Sequence, residues 1–195
     1  MAATTLPPTI RSLHQPDPLK PEITLRTTAP PTLPPSSPTD HLVRVHATSP
    51  CAGELTWPAW NPHLFSAEIV PCYDLSGTVV QAPPDSPFPP GTPVWARTHV
   101  GRAGNAREYT VVPTGELARR PAAGVDEITA ASVPLSAETA VQALFERGGL
   151  RGLGEGEGGR AANKGKTVLV TAASGGVGVW LVQLAREAGV GGIVG

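Results

Sequence analysis

Hydrophobic and polar positions alternate most cleanly over His41–Ala47 (HLVRVHA), where Leu42 and Arg44 point one way and Val43 and Val45 the other. That period of two is the pattern of a half-buried strand. Similar short β-branched runs at Glu22–Arg26, Gly77–Gln81, Pro93–Arg97 and Glu108–Val112 predict four more strands. Prolines surround them: of 23 in the chain, only Pro113, Pro121 and Pro134 lie beyond residue 93. Proline is tolerated at strand edges and in turns but not in central strands. The first two thirds therefore read as a β-rich domain of about 130 residues with irregular connections. Pro30–Pro38 (PPTLPPSSP) reads as an extended surface connector, and Pro83–Pro93 as a turn between two strands.

The period then lengthens. In Asp126–Arg147 the stretch SAETAVQALFER places Ala137, Val141, Leu144 and Phe145 on one helical face, with Ser136 suited to cap its start. The next segment, Gly148–Lys166 (GGLRGLGEGEGGRAANKGK), is polar and glycine-rich, and it predicts a flexible loop. Composition adds mainly exclusions. A formal charge of -1, with Lys and Arg unclustered, gives no footprint for nucleic acid or an anionic membrane. No apolar run approaches the ~18 residues of a membrane span. Two cysteines, Cys51 and Cys72, make no disulfide framework and suit a reducing compartment. The N-terminus lacks the apolar core of a secretory signal. These features suggest the cytoplasm, with a mitochondrial location as the alternative.

The segment with chemistry is Lys166–Val190. Thr167–Thr171 reads as a short buried parallel strand. Ala173-Ser174-Gly175-Gly176-Val177-Gly178 then fits the dinucleotide spacing G-x-G-x-x-G, with alanine in the first slot. An apolar helical face follows at Val177, Leu181, Leu184, Ala185 and Ala188, and Gly189 falls where a helix-terminating glycine belongs. Gly175 leaves room for a pyrophosphate beside the backbone, Gly178 allows close packing of helix on strand, and the helix start offers free N–H groups. A glycine pattern alone is weak, but its position between a strand and an amphipathic helix strengthens it. The simpler alternative is a glycine-rich turn with no ligand.

Five stretches, in order, resemble the medium-chain dehydrogenase/reductase superfamily: HLVRVHATSP, YDLSGTVV, AREYTVVPTGELARRP, ASVPLSAETAVQAL and VLVTAASGGVG. The resemblance runs from about Ile10 to Gly195. It implies an α/β chain with a GroES-like β-domain over residues 1–135, followed at 136–195 by the start of a Rossmann, doubly wound parallel domain. It implies hydride transfer with NADP, or with NAD. Ser174, Gly175, Gly176, Val177 and Gly178 would hold the pyrophosphate, and Thr139 would sit near the nicotinamide ring.

Zinc divides this superfamily. Cys51 stands at the cysteine position of the zinc alcohol dehydrogenases, but their His-Glu pair is replaced by Tyr73-Asp74. Tyrosine is a poor zinc ligand, and a catalytic zinc takes three protein ligands. His63 and Cys72 could join Cys51 only by chance spacing. The resemblance therefore points to the zinc-independent, quinone-oxidoreductase-like (enoyl-reductase-type) branch, whose members reduce quinones and enones. Tyr73 is a candidate proton donor, Cys51 a thiol lining the substrate pocket, and Trp57 and Trp60 an apolar wall for a flat substrate. Packing is the plainer role for Tyr73 and both tryptophans. The asparagine often found near Pro50 in this branch is absent.

The sequence stops at GGIVG, where a second Rossmann strand would begin. The residue that reads the ribose 2′ group is expected about 20 positions after the first fingerprint residue, at or beyond Gly195. The chain accordingly reads as a C-terminally truncated oxidoreductase that takes a small-molecule substrate, with a homodimer as one expected assembly. The alternatives are a non-catalytic binding module and a zinc alcohol dehydrogenase-like enzyme. With most of the nucleotide pocket missing, the chain alone is expected to bind NADPH no better than millimolar.

Overall fold

The computed structural model describes residues 5–34 and 37–195, so part of the proline-rich connector Pro30–Pro38 lies outside the described residues. The chain divides into two compact units, one running to Pro134 and the other Leu135–Gly195.

The first unit opens with a hairpin of β1 (Ile10–His14) and β2 (Thr24–Thr28). β1 was not anticipated, because IRSLH is short and carries charge; Ile10, Ser12 and His14 are nonetheless buried. Next come β3 (Asp40–Ser49), a short helix α1 (Trp57–Trp60), β4 (Asp74–Gln81), β5 (Pro93–Arg97), β6 (Tyr109–Pro113) and β7 (Leu117–Arg119). Five of these strands form an antiparallel sheet in the order β6-β3-β4-β5-β7. The four strands predicted around residues 41–112 are all present, the run at 22–26 begins two residues later than expected, and the three-residue β7 was too short to read. The proline cluster 83–93 does link two antiparallel neighbours, β4 and β5.

Alternation in β3 is offset by irregular register at Leu42/Val43 and again at Val45/Ala47. Leu42 and Val43 are consequently both buried, whereas Arg44 is exposed. A β-bulge of this kind bends a strand and re-aims its side chains. Gly77, opposite the second irregularity, is required there: a β-carbon on it would lie 2.3 Å from the Arg44 carbonyl oxygen. Val43, Leu75, Val79, Val94, Ala96, Val112 and Leu117 close the core. Helix α2 (Glu127–Ala131) packs on β3 and β4 and is capped by Asp126, whose carboxylate accepts the Thr129 N–H at 2.7 Å.

The second unit begins within α3 (Pro134–Val141), which continues as a π-helical turn over Gln142–Arg147. The start differs from expectation. Pro134 is the first helical residue, where a missing N–H costs nothing, so Ser136 lies inside the helix and does not cap it. Val141 is exposed, and the buried face is carried by Ala140 and Leu144.

The predicted loop 148–166 is also corrected: it contains α4 (Gly156–Asn163). Glycine disfavours helix by about 1 kcal/mol per residue, and tertiary ties override it. Asn163 is fully buried; it accepts the Arg151 N–H at 2.9 Å and donates to the carbonyls of Arg151 (3.1 Å) and Ala188 (2.9 Å). Arg160 donates to the Glu187 carbonyl. Then β8 (Thr167–Leu169), α5 (Gly176–Glu187) and β9 (Gly192–Val194) form a parallel βαβ unit. Gly189 ends α5 at φ 76°, with the Val190 and Gly189 N–H groups bonded to the Ala185 and Arg186 carbonyls, which is the Schellman arrangement. Leu144, Leu150, Ala185 and Ala188 make this unit's core, with Leu181, Leu184 and Ile193 against it.

Candidate functional site

The turn from β8 into α5 has the shape a dinucleotide loop needs. Ala172 adopts φ 55°, which turns the chain away from the strand. Gly175, in extended conformation, precedes the first helical residue, and no side chain caps the helix start. The first intrahelical bond runs from Val179 N–H to Gly175 O at 3.0 Å. The earlier N–H groups of α5 are thus the orphan donors of a helix N-terminus, with its positive dipole end behind them. Packing forces Gly178: a β-carbon there would meet Ala172 O at 2.2 Å and the Ala173 backbone at 2.8 Å. A β-carbon on Gly175 would stand 3.2 Å from Ala172 O, and one on Gly176 3.4 Å from Ser136 Oγ. Ser174, Gly175 and Gly176 are exposed and Val177 is half-buried. The absence of side chains at Gly175 and Gly176 and the uncapped helix start give this turn the room and the N–H donors that a pyrophosphate requires. Thr139 is exposed on α3, and its hydroxyl donates to Leu135 O at 2.7 Å.

The first unit holds a second cluster of chemistry-bearing groups, organised by Glu54, which sequence reasoning missed. Its carboxylate is 4% exposed and accepts backbone N–H groups from two separate segments: Cys51 at 2.8 Å and Cys72. Cys72 is held at φ 70°, a region that normally favours glycine. The only sequence signal was an acidic residue inside a mostly apolar stretch, AGELTW, which is not diagnostic. Burial raises the Glu54 pKa, opposed by the two amide hydrogen bonds. Burial, and then the Glu54 charge, pushes the Cys72 thiol up to about 12 and raises the Cys51 thiol as well. Both thiols are therefore protonated at neutral pH.

Cys51 does line a groove, of about 970 Å³, between the β1–β2 hairpin and β3; Leu13, Ile23, Leu25, Val45 and Leu55 supply apolar wall. The other expected pocket residues do not line it. Tyr73 is only 2% exposed, and its ring packs edge-on against Phe65, with centroids 6.2 Å apart. Burial, reinforced by the Glu54 charge, raises its phenol pKa. Trp57 and Trp60 lie on α1, directly after the lining residues Leu55 and Thr56 but not themselves part of the lining, with Trp60 72% exposed. TWPAW folds as a single helical turn that buries Pro58 and half-buries Trp57. Among the described residues, no group of three or more His, Cys, Asp or Glu side chains converges as a metal site, so His63, Cys72 and Cys51 are not brought together as one.

Comparison with known proteins adds to this geometry. Residues 37–122 match the alcohol dehydrogenase GroES-like domain. The whole chain is 47% identical over 194 residues to "Probable zinc-binding oxidoreductase, mitochondrial" of Arthroderma benhamiae, of which it covers 56%. It is 34% identical over 117 residues (60% of the chain, 27% of the relative) to a mouse protein named as a mitochondrial NAD(P)H oxidoreductase. It is 38% identical over 121 residues (61% and 34%) to the chloroplast envelope quinone oxidoreductase homolog of Arabidopsis thaliana. Among solved structures, an alcohol dehydrogenase superfamily protein from Novosphingobium aromaticivorans superposes over 95% of the chain and 52% of its own length, with a TM-score of 0.77 and 26% identity. The chain spans about half the length of the first of these relatives and of that structure. The GroES-like sheet and these relatives agree: the chain carries an alcohol dehydrogenase GroES-like domain over residues 37–122 and is similar along its whole length to proteins named as oxidoreductases.

Proposed function

We propose that this chain supplies the β-domain and the start of the nucleotide-binding domain of an NAD(P)H-dependent oxidoreductase that reduces quinones, enones or similar activated C=C or C=O compounds without zinc. The observation that carries the reading is Gly178. Its missing side chain lets the first turn of α5 sit against the Ala172–Ala173 backbone, and this leaves the loop's N–H groups directed at an anion. When bound, a nicotinamide cofactor supplies hydride. Ser174 through Gly178 hold and orient its pyrophosphate through backbone donors and the helix dipole. NADP is our choice, with NAD as the alternative. The names of the mouse and Arabidopsis relatives support the cofactor class and the quinone-type substrate.

Zinc independence rests on the residues around Cys51. Tyr73 and Asp74 replace a His-Glu pair, and tyrosine is a poor zinc ligand. The competing reading, a zinc enzyme, is favoured by Cys51 itself and by the name of the fungal relative. Elemental analysis of the purified full-length protein separates them: we expect no stoichiometric zinc, and one zinc per chain lost in Cys51→Ala would refute zinc independence. Tyr73 as proton donor is retained only as a test, because its ring is buried; Tyr73→Phe is expected to alter stability more than turnover. No helix among the described residues is long and apolar enough to cross a membrane. We place the protein in the cytoplasm, with a mitochondrial location as the alternative that the names of two relatives support; cell fractionation tests this. A homodimer is the proposed assembly.

The decisive experiment is calorimetric titration of the full-length protein with NADPH and NADH. Gly175→Val, which puts a branched side chain where the pyrophosphate approaches, is expected to abolish measurable binding while the β-domain stays folded. Unchanged affinity would overturn the cofactor assignment.

A further inference from the structure

The hydroxyl that the family pattern points to is not the one standing against the glycine loop. Thr139 directs its hydroxyl hydrogen back along α3 to the Leu135 carbonyl, at 2.7 Å. Ser136 lies nearer the start of the same helix and is half-buried. Its Oγ is 3.4 Å from the point where a β-carbon on Gly176 would stand. Gly176 is the first residue of α5, in a turn that lacks any side-chain cap. Glycine at 176 therefore relieves no backbone clash. It keeps the space between the Ser136 hydroxyl and the first N–H groups of α5 free of any side chain.

A phosphate bound at a helix start is held by N–H donors that all point along one axis. A hydroxyl entering from the side satisfies an oxygen that those donors do not reach. Hydrogen bonds to an ionised acceptor are also the stronger kind, roughly twice a neutral pair. We propose that Ser136 donates a hydrogen bond to a phosphate oxygen of the nicotinamide dinucleotide at this loop, in concert with the N–H groups of the first turn of α5. This rests on the cofactor reading above and adds a residue to it that neither the glycine spacing nor the resemblance indicated.

The test measures dissociation constants of the full-length protein for NADPH and for ADP-ribose, which keeps the pyrophosphate and lacks the nicotinamide. Ser136→Ala is expected to weaken both ligands by about tenfold or more without lowering the unfolding temperature. Ser136→Thr, which restores the hydroxyl, is expected to recover most of the loss for both. If the parent binds and Ser136→Ala binds equally well, the Ser136 assignment fails and the cofactor reading stands. If the loss appears with NADPH but not with ADP-ribose, the hydroxyl acts on the nicotinamide end and the phosphate assignment is wrong. If the parent binds neither ligand, the cofactor reading fails and takes this proposal with it.

Discussion

Replacing Gly178 with alanine should break the loop from within, and the size of the effect follows from three distances. An added β-carbon would lie 2.2 Å from Ala172 O and 2.8 Å from two Ala173 backbone atoms, so no rotamer relieves the overlap. Either α5 moves off the turn or the turn moves off β8. Overpacking a close contact costs about 1–3 kcal/mol, and the backbone contacts here favour the upper half of that range. Against it stands the helix preference of alanine over glycine, about 1 kcal/mol. A net loss of about 1–2 kcal/mol in the second unit results, and cofactor affinity should fall by about tenfold for each 1.4 kcal/mol of misplacement. Gly176→Ala is the internal control, because its β-carbon meets only Ser136 Oγ at 3.4 Å, an ordinary contact. Its folding cost should be near zero or negative, so any loss of NADPH binding would come from the ligand side. Hydrogen exchange resolved by segment, with NADPH titration, separates the two. Gly178→Ala should lose protection over 167–194 and leave β3–β6 unchanged. A Gly178→Ala protein that is more stable than its parent and binds NADPH equally well would refute the close-approach argument.

The remaining expectations concern stability. Glu54→Gln leaves one of the Cys51 and Cys72 N–H groups facing an amide NH₂; a buried donor without an acceptor costs about 1–3 kcal/mol, read as a lower denaturation midpoint, and a change within 0.5 kcal/mol would show that the carboxylate does not clamp the two segments. His41 is fully buried beside Ser86, and burial lowers its pKa from 6.5. The unfolded chain takes up that proton more readily, so stability is full above about pH 6.5 and falls as pH drops below it; His41→Gln should flatten this part of the pH–stability curve, and an unaltered slope would remove His41 from the account. Glu54, with its pKa raised from 4.5, acts in the opposite sense, losing stability as pH rises through its folded pKa, which is why the variant and not the raw curve is the measurement. Ala172→Gly relieves a left-handed alanine worth about 1 kcal/mol and should raise the unfolding midpoint of the second unit; a drop would mean that the turn depends on the methyl group.

Much of this architecture could be read from local pattern because local physics dictates it. A β-branched run bounded by proline or glycine has few alternatives to a strand, and Pro93–Arg97 appears with the limits expected. The glycine loop was legible for the same reason: strand, turn and amphipathic helix are contiguous, and Gly178 and Gly189 each answer a constraint within a few residues. The failures share the opposite property. β1 is a strand because it pairs with β2 and because it is bonded to residues far along the chain, Leu13 N–H to Ala106 O and Glu108 N–H to Arg11 O. α4 has a composition that argues for a loop, and it is helical because Asn163 is tied to Arg151 and Ala188.

The same distinction explains the uneven reading of the site. The cysteine, tyrosine and tryptophans of the first unit were selected by residue type and family position, neither of which encodes where a side chain ends up. Tyr73 and Cys51 are separated by 22 positions and share one neighbour, Glu54, whose charge acts on both. A carboxylate buried against two amides is invisible in sequence, because its role depends on Cys72 being brought to it in a left-handed conformation. Burial and the Glu54 charge both raise the pKa of the Cys51 thiol, so the carboxylate that fixes the backbone of the two cysteines also disfavours the thiolate at the one that lines the groove.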